Sequence, residues 1–250
     1  MNWEHKCSLE WLLERQKYLT ASDIKSLVPV TRTGRPRKVD DEAYFRVLAS
    51  KLTKLTSEDC WSFGAAARGH ILEPYAIDAL NVMLLQMSRP PIYWWDDEVV
   101  TDGSRSLAFS PDGMDVPQND LPPTLATTIA EVKCYSTEKH MTVAHTPKDL
   151  IEERWQIATA MAVRDSIEHA YLMLYDPRLL THRAVMIEWE RKELEEEIGM
   201  VLNVEKRWDM FMTSHLSPHA INGGVWQTVG PSEHDIIDEL RKKGIINPTT

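Results

Sequence analysis

Thr127-Thr-Ile-Ala-Glu-Val-Lys-Cys-Tyr135 decides the fold, because its alternating polar and apolar residues predict a β-strand. Side chains at positions i and i+2 of a strand lie on the same face, so Glu131 and Lys133 are expected side by side. The same acidic-x-Lys triplet occurs at three other places, in stretches with a helical or terminal pattern: Glu4/Lys6, Asp23/Lys25 and Glu190/Lys192. Taken alone, the triplet also fits an ordinary half-exposed strand with a salt bridge.

An upstream acidic residue favours a functional interpretation of the triplet. Asp112 lies at the tip of Ser110-Pro-Asp-Gly113, at a junction between a strand and a turn. Two carboxylates and a backbone carbonyl, here that of Val132, are hard oxygen ligands suited to Mg²⁺. Such a metal polarises a scissile phosphate and lowers the pKa of a bound water, which Lys133 would hold or help to deprotonate. The pattern therefore predicts metal-dependent phosphodiester hydrolysis.

Two further polar residues are candidates for the same site. Glu73 follows an apolar pair in Arg68-Gly-His-Ile-Leu-Glu-Pro74 and supplies a third carboxylate, although most such residues are exposed helix glutamates. Gln156, in Arg154-Trp-Gln-Ile-Ala158, would face inward from a helix that follows the strand. Its alternative is a polar residue at the boundary of the core.

Composition limits the function classes. The chain has 250 residues and a net charge of −10, which argues against a protein that coats nucleic acid but not against an enzyme with one local DNA groove. Four basic residues in Thr31–Lys38 predict either a solvated loop or a phosphate-contacting one. Three scattered cysteines indicate neither a disulfide framework nor a zinc site. With no secretory pattern and no apolar run of membrane-spanning length, we expect a soluble protein of a reducing compartment.

The order of elements predicts an α/β fold with a small central mixed β-sheet flanked by helices. We expect a single domain over residues 1–250, with its core at about 10–190 and a helical, turn-rich extension at about 190–250. The predicted strands are Ile92–Val100, Leu107–Phe109, Ile129–Tyr135, Ala170–Tyr175 and Ala184–Trp189. The predicted helices are Asp40–Leu55, Ala65–Met87 (started or kinked by Pro74), Pro147–Arg164, Glu190–Trp208 and Ser232–Lys243, after a helical N-terminal part in which Thr20–Asp23 caps a short helix.

Five sequence blocks in order resemble one known family, over roughly residues 10–190. They are Leu19-Thr-Ala-Ser-Asp-Ile24, Ala67-Arg-Gly-His-Ile-Leu-Glu-Pro74, Ser110–Gly113 with Glu131–Lys133, Gln156, and Tyr175-Asp-Pro-Arg178. This pattern is similar to the phage lambda-type exonucleases, also known as YqaJ-like viral recombinases or alkaline exonucleases, within the PD-(D/E)xK nuclease superfamily. The resemblance implies the core of a restriction-endonuclease-like fold.

The resemblance also implies an activity. Members of the family are Mg²⁺-dependent 5′-to-3′ exonucleases that degrade one strand of linear double-stranded DNA from a 5′-phosphorylated end and leave 3′ single-stranded overhangs. They use two Mg²⁺ ions, for which Mn²⁺ can substitute, and form a ring-shaped homotrimer around the duplex. They act beside a single-strand annealing protein in phage recombination, which implies a phage- or prophage-encoded protein in the cytoplasm of a bacterial host.

The family's roles transfer to matching positions of this chain. Asp112, Glu131 and the main-chain carbonyl of Val132 would be metal ligands, and Lys133 would be catalytic. Glu73 and Gln156 would support the metal and the water. A pocket for the 5′-phosphate would be formed by Arg15, Ser22 and Ser110. Asp102 would occupy a further acidic position of the family. One departure from the family pattern is Ala158, where a second glutamine is common.

Three alternatives remain open on sequence grounds. A PD-(D/E)xK endonuclease or a helicase-associated nuclease would use the same Asp112, Glu131 and Lys133, so that only a 5′-phosphate pocket and an inability to cut circular DNA would separate it from an exonuclease. A catalytically idle DNA-binding relative is disfavoured by the intact acidic residues and lysine. An enzyme of sugar or nucleotide chemistry is disfavoured because no Gly-rich phosphate loop, nucleophile elbow or zinc-ligand pair occurs.

Overall fold

A computed structural model describes residues 9–30, 37–52, 65–95, 99–117 and 122–216. Within these ranges the helices are α1 (Leu9–Gln16), α2 (Ala21–Leu27), α3 (Asp41–Leu52), α4 (Ala65–Gln86), α5 (Thr137–Ala144), α6 (Arg154–Val163) and α7 (Glu195–Leu216). The strands are β1 (Leu19–Thr20), β2 (Tyr93–Trp94), β3 (Leu107–Ala108), β4 (Gly113–Met114), β5 (Thr128–Lys133), β6 (His169–Tyr175) and β7 (Ala184–Glu190). Met1–Phe211 form one compact unit and Met212–Thr250 a second, of which only the end of α7 is described.

The main sheet has five strands in the order β2-β4-β5-β6-β7. Its central pair, β5 and β6, is parallel, and the other three pairs are antiparallel. The connection between β5 and β6 contains α5 and α6, as a parallel crossover requires. The predicted mixed sheet flanked by helices is therefore confirmed.

The two faces of β5 have different partners. Ala130 and Val132 point into an apolar core against α4, whereas Ile129 and Glu131 line a cleft on the face toward α6. This is the period-2 alternation predicted from the sequence. The core against α4 is built from Ala76, Ile77, Leu80, Leu84, Ile92, Ala130, Val132, Tyr171 and Met173.

Helix α4 confirms the predicted helix Ala65–Met87. It runs through Pro74, so of the two alternatives for this proline the one in which it begins the helix is wrong. The start of the predicted helix Pro147–Arg164 is also wrong: Lys148–Leu150 form a 3₁₀ turn, and α6 begins only at Arg154. Helix α5 was not predicted from the sequence. It begins after Ser136, whose hydroxyl accepts a hydrogen bond from the backbone N–H of Lys139, as in a helix cap.

Helix α2 is fixed at both ends by polar contacts. At its start, the Asp23 carboxylate accepts hydrogen bonds from the backbone N–H and hydroxyl of Thr20, which confirms the predicted cap. At its end, Arg37 donates to the carbonyls of Lys25, Ser26 and Val28. The guanidinium of Arg37 is thus used inside the fold, while residues 31–36 of the predicted basic loop lie outside the described residues.

Two predictions fall at the ends of the described chain. The predicted helix Ser232–Lys243 lies outside the described residues. The charged helix predicted from Glu190 begins later, at Glu195, because Arg191–Glu193 form a 3₁₀ turn. None of the helices in the described ranges is long and apolar enough to cross a membrane.

Candidate active site

A cleft that is partly open to solvent lies beside β5. Its walls come from the end of α1, the start of α2, the segment after β3, one face of β5 and one face of α6. Five residues that sequence analysis singled out line it together: Arg15, Ser22, Ser110, Glu131 and Gln156. The fold therefore brings residues from five elements to one surface.

Glu131 and Lys133 lie side by side on the cleft face of β5, and the Lys133 ammonium donates a hydrogen bond to the Glu131 carboxylate. The side chains are 12% and 22% exposed, respectively. Burial by itself lowers the pKa of Lys133, but the negative charges of Glu131 and Asp112 outweigh it and hold that pKa above its usual range. The lysine is therefore an ammonium ion in this arrangement.

Asp112 directly precedes β4 and reaches β5 across the antiparallel ladder. Gly113 pairs with Ala130, which places Asp112 opposite Glu131. One oxygen of the buried Asp112 carboxylate accepts a hydrogen bond from the backbone N–H of Val132 at 2.7 Å. This bond fixes Asp112 beside the strand that carries Glu131 and Lys133, so the structure assembles the predicted triad.

The residue after Asp112 is Gly113, and the surrounding atoms leave no room for a side chain there. A Cβ atom at this position would lie 2.6 Å from Ile92 Cγ2 and 2.9 Å from Ile77 Cδ1. Real Cβ atoms do not approach other atoms so closely. The glycine therefore lets the Asp112 turn pack directly against α4 and the segment before β2.

Gln156 projects from α6 into the cleft. Its Oε1 atom is buried and has no hydrogen-bond partner among the described residues. A buried amide oxygen without a partner is costly, and at a functional site it indicates a group that binds there. A metal-bound water or a metal ion would satisfy this oxygen.

Glu73 is a further acidic residue, on α4. It is buried in α4 and contacts His70 Nδ1 at 3.0 Å. Burial raises the pKa of the Cys134 thiol to about 12, and the charges of Glu73 and Asp112 act in the same direction. Within the described ranges, however, no three Asp, Glu, His or Cys side chains converge to hold a metal, so Glu73 does not complete a cluster of three carboxylates.

Arg15 lies at the end of α1 with its guanidinium 4.4 Å from the centre of the Trp11 ring. Stacking on an aromatic face holds a guanidinium without neutralising its charge. Ser22, in the first turn of α2, and Ser110 line the same cleft. One cation and two hydroxyls are the donors that a phosphate group needs.

Asp102 lies in a turn and does not line the cleft. Its carboxylate accepts hydrogen bonds from the backbone N–H and hydroxyl of Ser104 and from Arg105 Nε at 2.9 Å. Arg105 also pairs with Glu205 of α7 at 3.6 Å. The structure thus gives Asp102 a role in shaping its own loop.

Sequence analysis assigned no role to Asp176, which lies at the centre of a network at the end of β6. Its fully buried carboxylate accepts hydrogen bonds from Thr137, Arg178 and Arg68. These bonds hold the pKa of Asp176 far below its usual value, Arg178 contributing most. Arg68 also donates to the two carbonyl groups that directly follow β5. The network thus ties β5 to β6 and α4, and its only sequence signal was the block Tyr175-Asp-Pro-Arg178.

No protein-family model matches the chain, and no curated protein matches it. Among solved structures, it is similar to the crystal structure of an alkaline exonuclease (LHK-Exo) from Laribacter hongkongensis and to that of LHK-Exo in complex with dAMP. Each superposition has a TM-score of 0.54 and 20% sequence identity, and covers 84% of this chain and 98% of the other.

The chain has the alkaline-exonuclease fold. This finding confirms, at the level of the fold, the resemblance expected from the five sequence blocks.

Proposed function

We propose that this protein is a Mg²⁺-dependent 5′-to-3′ exonuclease that degrades one strand of linear double-stranded DNA from a 5′-phosphorylated end. The observation that carries the proposal is the convergence of Asp112, Glu131 and Lys133 beside a cleft lined by Arg15. The likeness in fold to an alkaline exonuclease supports it.

The metal site would consist of the carboxylates of Asp112 and Glu131 and the carbonyl of Val132, and two Mg²⁺ ions, or Mn²⁺, would bind there. These hard oxygen donors suit Mg²⁺, which binds few protein ligands and keeps several waters. The buried, unpartnered oxygen of Gln156 in the same cleft supports the fit. When bound, the metal supplies a more acidic water and a polarised phosphate.

Lys133 acts as a cation in this proposal. Its pKa is held high by Glu131 and Asp112, so it carries hydrogen-bond donors and a positive charge at the reacting phosphate. Positive charge offsets the negative charge that develops on the phosphate oxygens in the transition state. Glu73 and Gln156 would support the metal and the attacking water.

The 5′ end of the substrate would be held by Arg15, Ser22 and Ser110. A terminal phosphate monoester carries more negative charge than an internal diester, and a guanidinium with two hydroxyls recognises it by charge-assisted hydrogen bonds. These residues and Glu131 line one cleft, so a bound 5′ end lies near the acidic site. This proximity favours cleavage at the end of a strand.

A larger assembly completes the proposal. The enzyme would be a homotrimer that encircles the duplex and hands its 3′ overhangs to a single-strand annealing protein in phage-type recombination, in the cytoplasm of a bacterial host. One face of α4 carries large apolar side chains that are between 58% and 77% exposed: Ile71, Tyr75, Val82 and Leu85. Such a stripe supports burial against another copy of the chain.

The test is an incubation with Mg²⁺ and three DNAs: linear duplex with 5′-phosphates, linear duplex with 5′-hydroxyls, and covalently closed circles. We expect rapid loss of the first, slow loss of the second and an intact circle. Nicking or linearisation of the circle would instead identify an endonuclease with the same acidic site. A lack of cleavage with either Mg²⁺ or Mn²⁺ would identify a DNA-binding relative without activity and would refute the proposal.

A further inference from the structure

Lys25 lies next to the candidate active site, although sequence analysis gave it no role. It follows Ser22 by three residues in α2, and residues with this spacing share one face of a helix. Ser22 lines the cleft, and the Lys25 side chain is 23% exposed. The lysine therefore lies on the same side of α2 as Ser22, and most of its side chain is covered.

Charged side chains of the candidate active site influence Lys25. Burial lowers the pKa of Lys25. The carboxylate of Glu153 opposes this effect, the ammonium of Lys133 adds to it, and the carboxylates of Glu152 and Glu131 also oppose it. The side chains of Lys25 and Lys133 are 23% and 22% exposed, and their like charges repel each other. An anion that binds between them would relieve this repulsion, and the anion available in a nuclease is a backbone phosphate.

The contact between Lys25 and Glu153 is not a hydrogen bond. Lys25 Nζ lies 3.7 Å from Glu153 Oε1, beyond direct hydrogen-bond distance. The same oxygen already accepts a hydrogen bond from the hydroxyl of Tyr135. A lysine ammonium has three donors, and within the described ranges none of those on Lys25 makes a hydrogen bond to protein. Tyr135 therefore anchors Glu153, and Glu153 holds Lys25 in place with its donors available.

A purely structural ion pair is the competing interpretation. It would bring the ammonium into hydrogen-bond contact with its carboxylate, as Lys51 does with Asp23 of the same helix at 2.6 Å. Lys25 instead remains more than 1 Å farther from its partner. The geometry thus favours a lysine that is held for a ligand.

We propose that Lys25 binds an internal backbone phosphate of the DNA strand, at a subsite separate from the Arg15–Ser22–Ser110 pocket for the 5′-phosphate. This inference rests on the proposed function. Lys25 lies one helical turn from Ser22 and 3.7 Å from Glu153, which Tyr135 anchors two residues beyond Lys133, so the bound phosphate is close to the one that is cleaved. A protein with a negative net charge would in this way place its basic side chains along the path of one DNA strand.

The test is a methylphosphonate scan. Single internal phosphates of the 5′-phosphorylated strand are replaced, one position at a time, by neutral methylphosphonates, and duplex binding is measured in EDTA so that metal-dependent cleavage cannot start. The proteins compared are the wild type, Lys25→Ala, Lys25→Arg and Lys148→Ala. Lys148 is a matched control, because this lysine pairs with Glu193 at 2.7 Å and does not line the cleft.

We expect one position near the 5′ end where neutralisation weakens wild-type binding about tenfold, as the loss of a charge-assisted hydrogen bond requires. Lys25→Ala should bind unmodified DNA about tenfold more weakly than the wild type does. A methylphosphonate at that position should not weaken binding by this variant any further. Lys25→Arg should retain the position effect, and Lys148→Ala should behave as wild type. Circular dichroism melting of each variant checks that it is folded.

Two results would overturn the inference. In the first, each methylphosphonate weakens DNA binding by Lys25→Ala as much as it weakens binding by the wild type. Lys25 then contacts none of these phosphates. The proposed exonuclease activity would still stand if the wild type cleaves linear DNA. If the wild type neither binds nor cleaves 5′-phosphorylated duplex, the proposed function fails and the Lys25 subsite fails with it.

Discussion

Lys133 shares its strand face with Glu131 and is influenced by the charge of Asp112. The role that we propose for this single residue is to place a positive charge at the reacting phosphate. We predict that Lys133→Ala lowers the rate of cleavage of linear duplex more than about a hundredfold, the scale of a lost group that acts on the nucleophile. DNA binding should remain largely intact, because the lysine acts mainly in the transition state.

The matched control for that substitution is Lys192→Ala. Lys192 belongs to the triplet Glu190/Lys192 and forms the same kind of i,i+2 ion pair, but its side chain is 74% exposed. This variant should cleave linear duplex at the wild-type rate, as measured by gel electrophoresis of the products of both variants. Strong residual turnover by Lys133→Ala would remove that lysine from the mechanism.

Arg15 supplies the cation of the proposed 5′-phosphate pocket. We predict that Arg15→Ala slows degradation of 5′-phosphorylated ends about tenfold, the loss of a charge-assisted contact, and affects 5′-hydroxyl ends far less. The measurement compares initial rates on both ends. Arg46→Ala, which removes an exposed arginine paired with Glu42 on α3, is the control. Equal losses on the two kinds of end would contradict the pocket.

At the scale of elements, the close approach of the Asp112 turn to α4 depends on Gly113. Gly113→Ala would force its Cβ against Ile92 and Ile77, so we predict a free energy of unfolding lower by about 1–3 kcal/mol. Gly199→Ala in α7 is the control: nothing lies within 4 Å of its Cβ, and alanine favours a helix over glycine. Urea denaturation measures both, and an unchanged midpoint for Gly113→Ala would contradict the close packing.

The Asp176 network joins three elements and makes stability depend on pH. The pKa of folded Asp176 is depressed, so its stabilisation is complete above its ordinary pKa of about 3.9 and is lost as the pH falls through the folded value. We predict that Asp176→Asn unfolds at lower urea than wild type at pH 7, and that this difference shrinks below about pH 4. Asp165→Asn, at an exposed ion pair, should show a much smaller difference. If the difference in urea midpoint between the wild type and Asp176→Asn did not change with pH, the depressed pKa of Asp176 would be contradicted.

At the scale of the whole molecule, the proposed ring requires three copies. We predict that light scattering after size exclusion gives a mass three times that of the 28.7-kDa chain. Leu85→Glu places a charge in the exposed stripe of α4 and should shift this mass toward the monomer, because burying an unpaired charge is costly. Leu125→Glu changes another exposed leucine outside that stripe and should leave the trimer intact. A monomeric wild type would refute the ring.

The sequence by itself determined the features that depend on short-range pattern. The alternation within residues 128–133 predicted that Glu131 and Lys133 share a face, and the cap at Thr20 followed from residue types three positions apart. Both depend on the local periodicity of the backbone, which neighbouring residues reveal directly. The five spaced blocks added the fold, which the structural comparison confirms.

Only the tertiary structure decided which distant residues meet. It separated Asp102 from the cleft and brought Lys25 to within 3.7 Å of Glu153. It also gave Asp176 its role, through arginines on α4 and on the turn after β6. These outcomes depend on strand register and helix packing between segments tens of residues apart, and no local pattern of residue types encodes such distances.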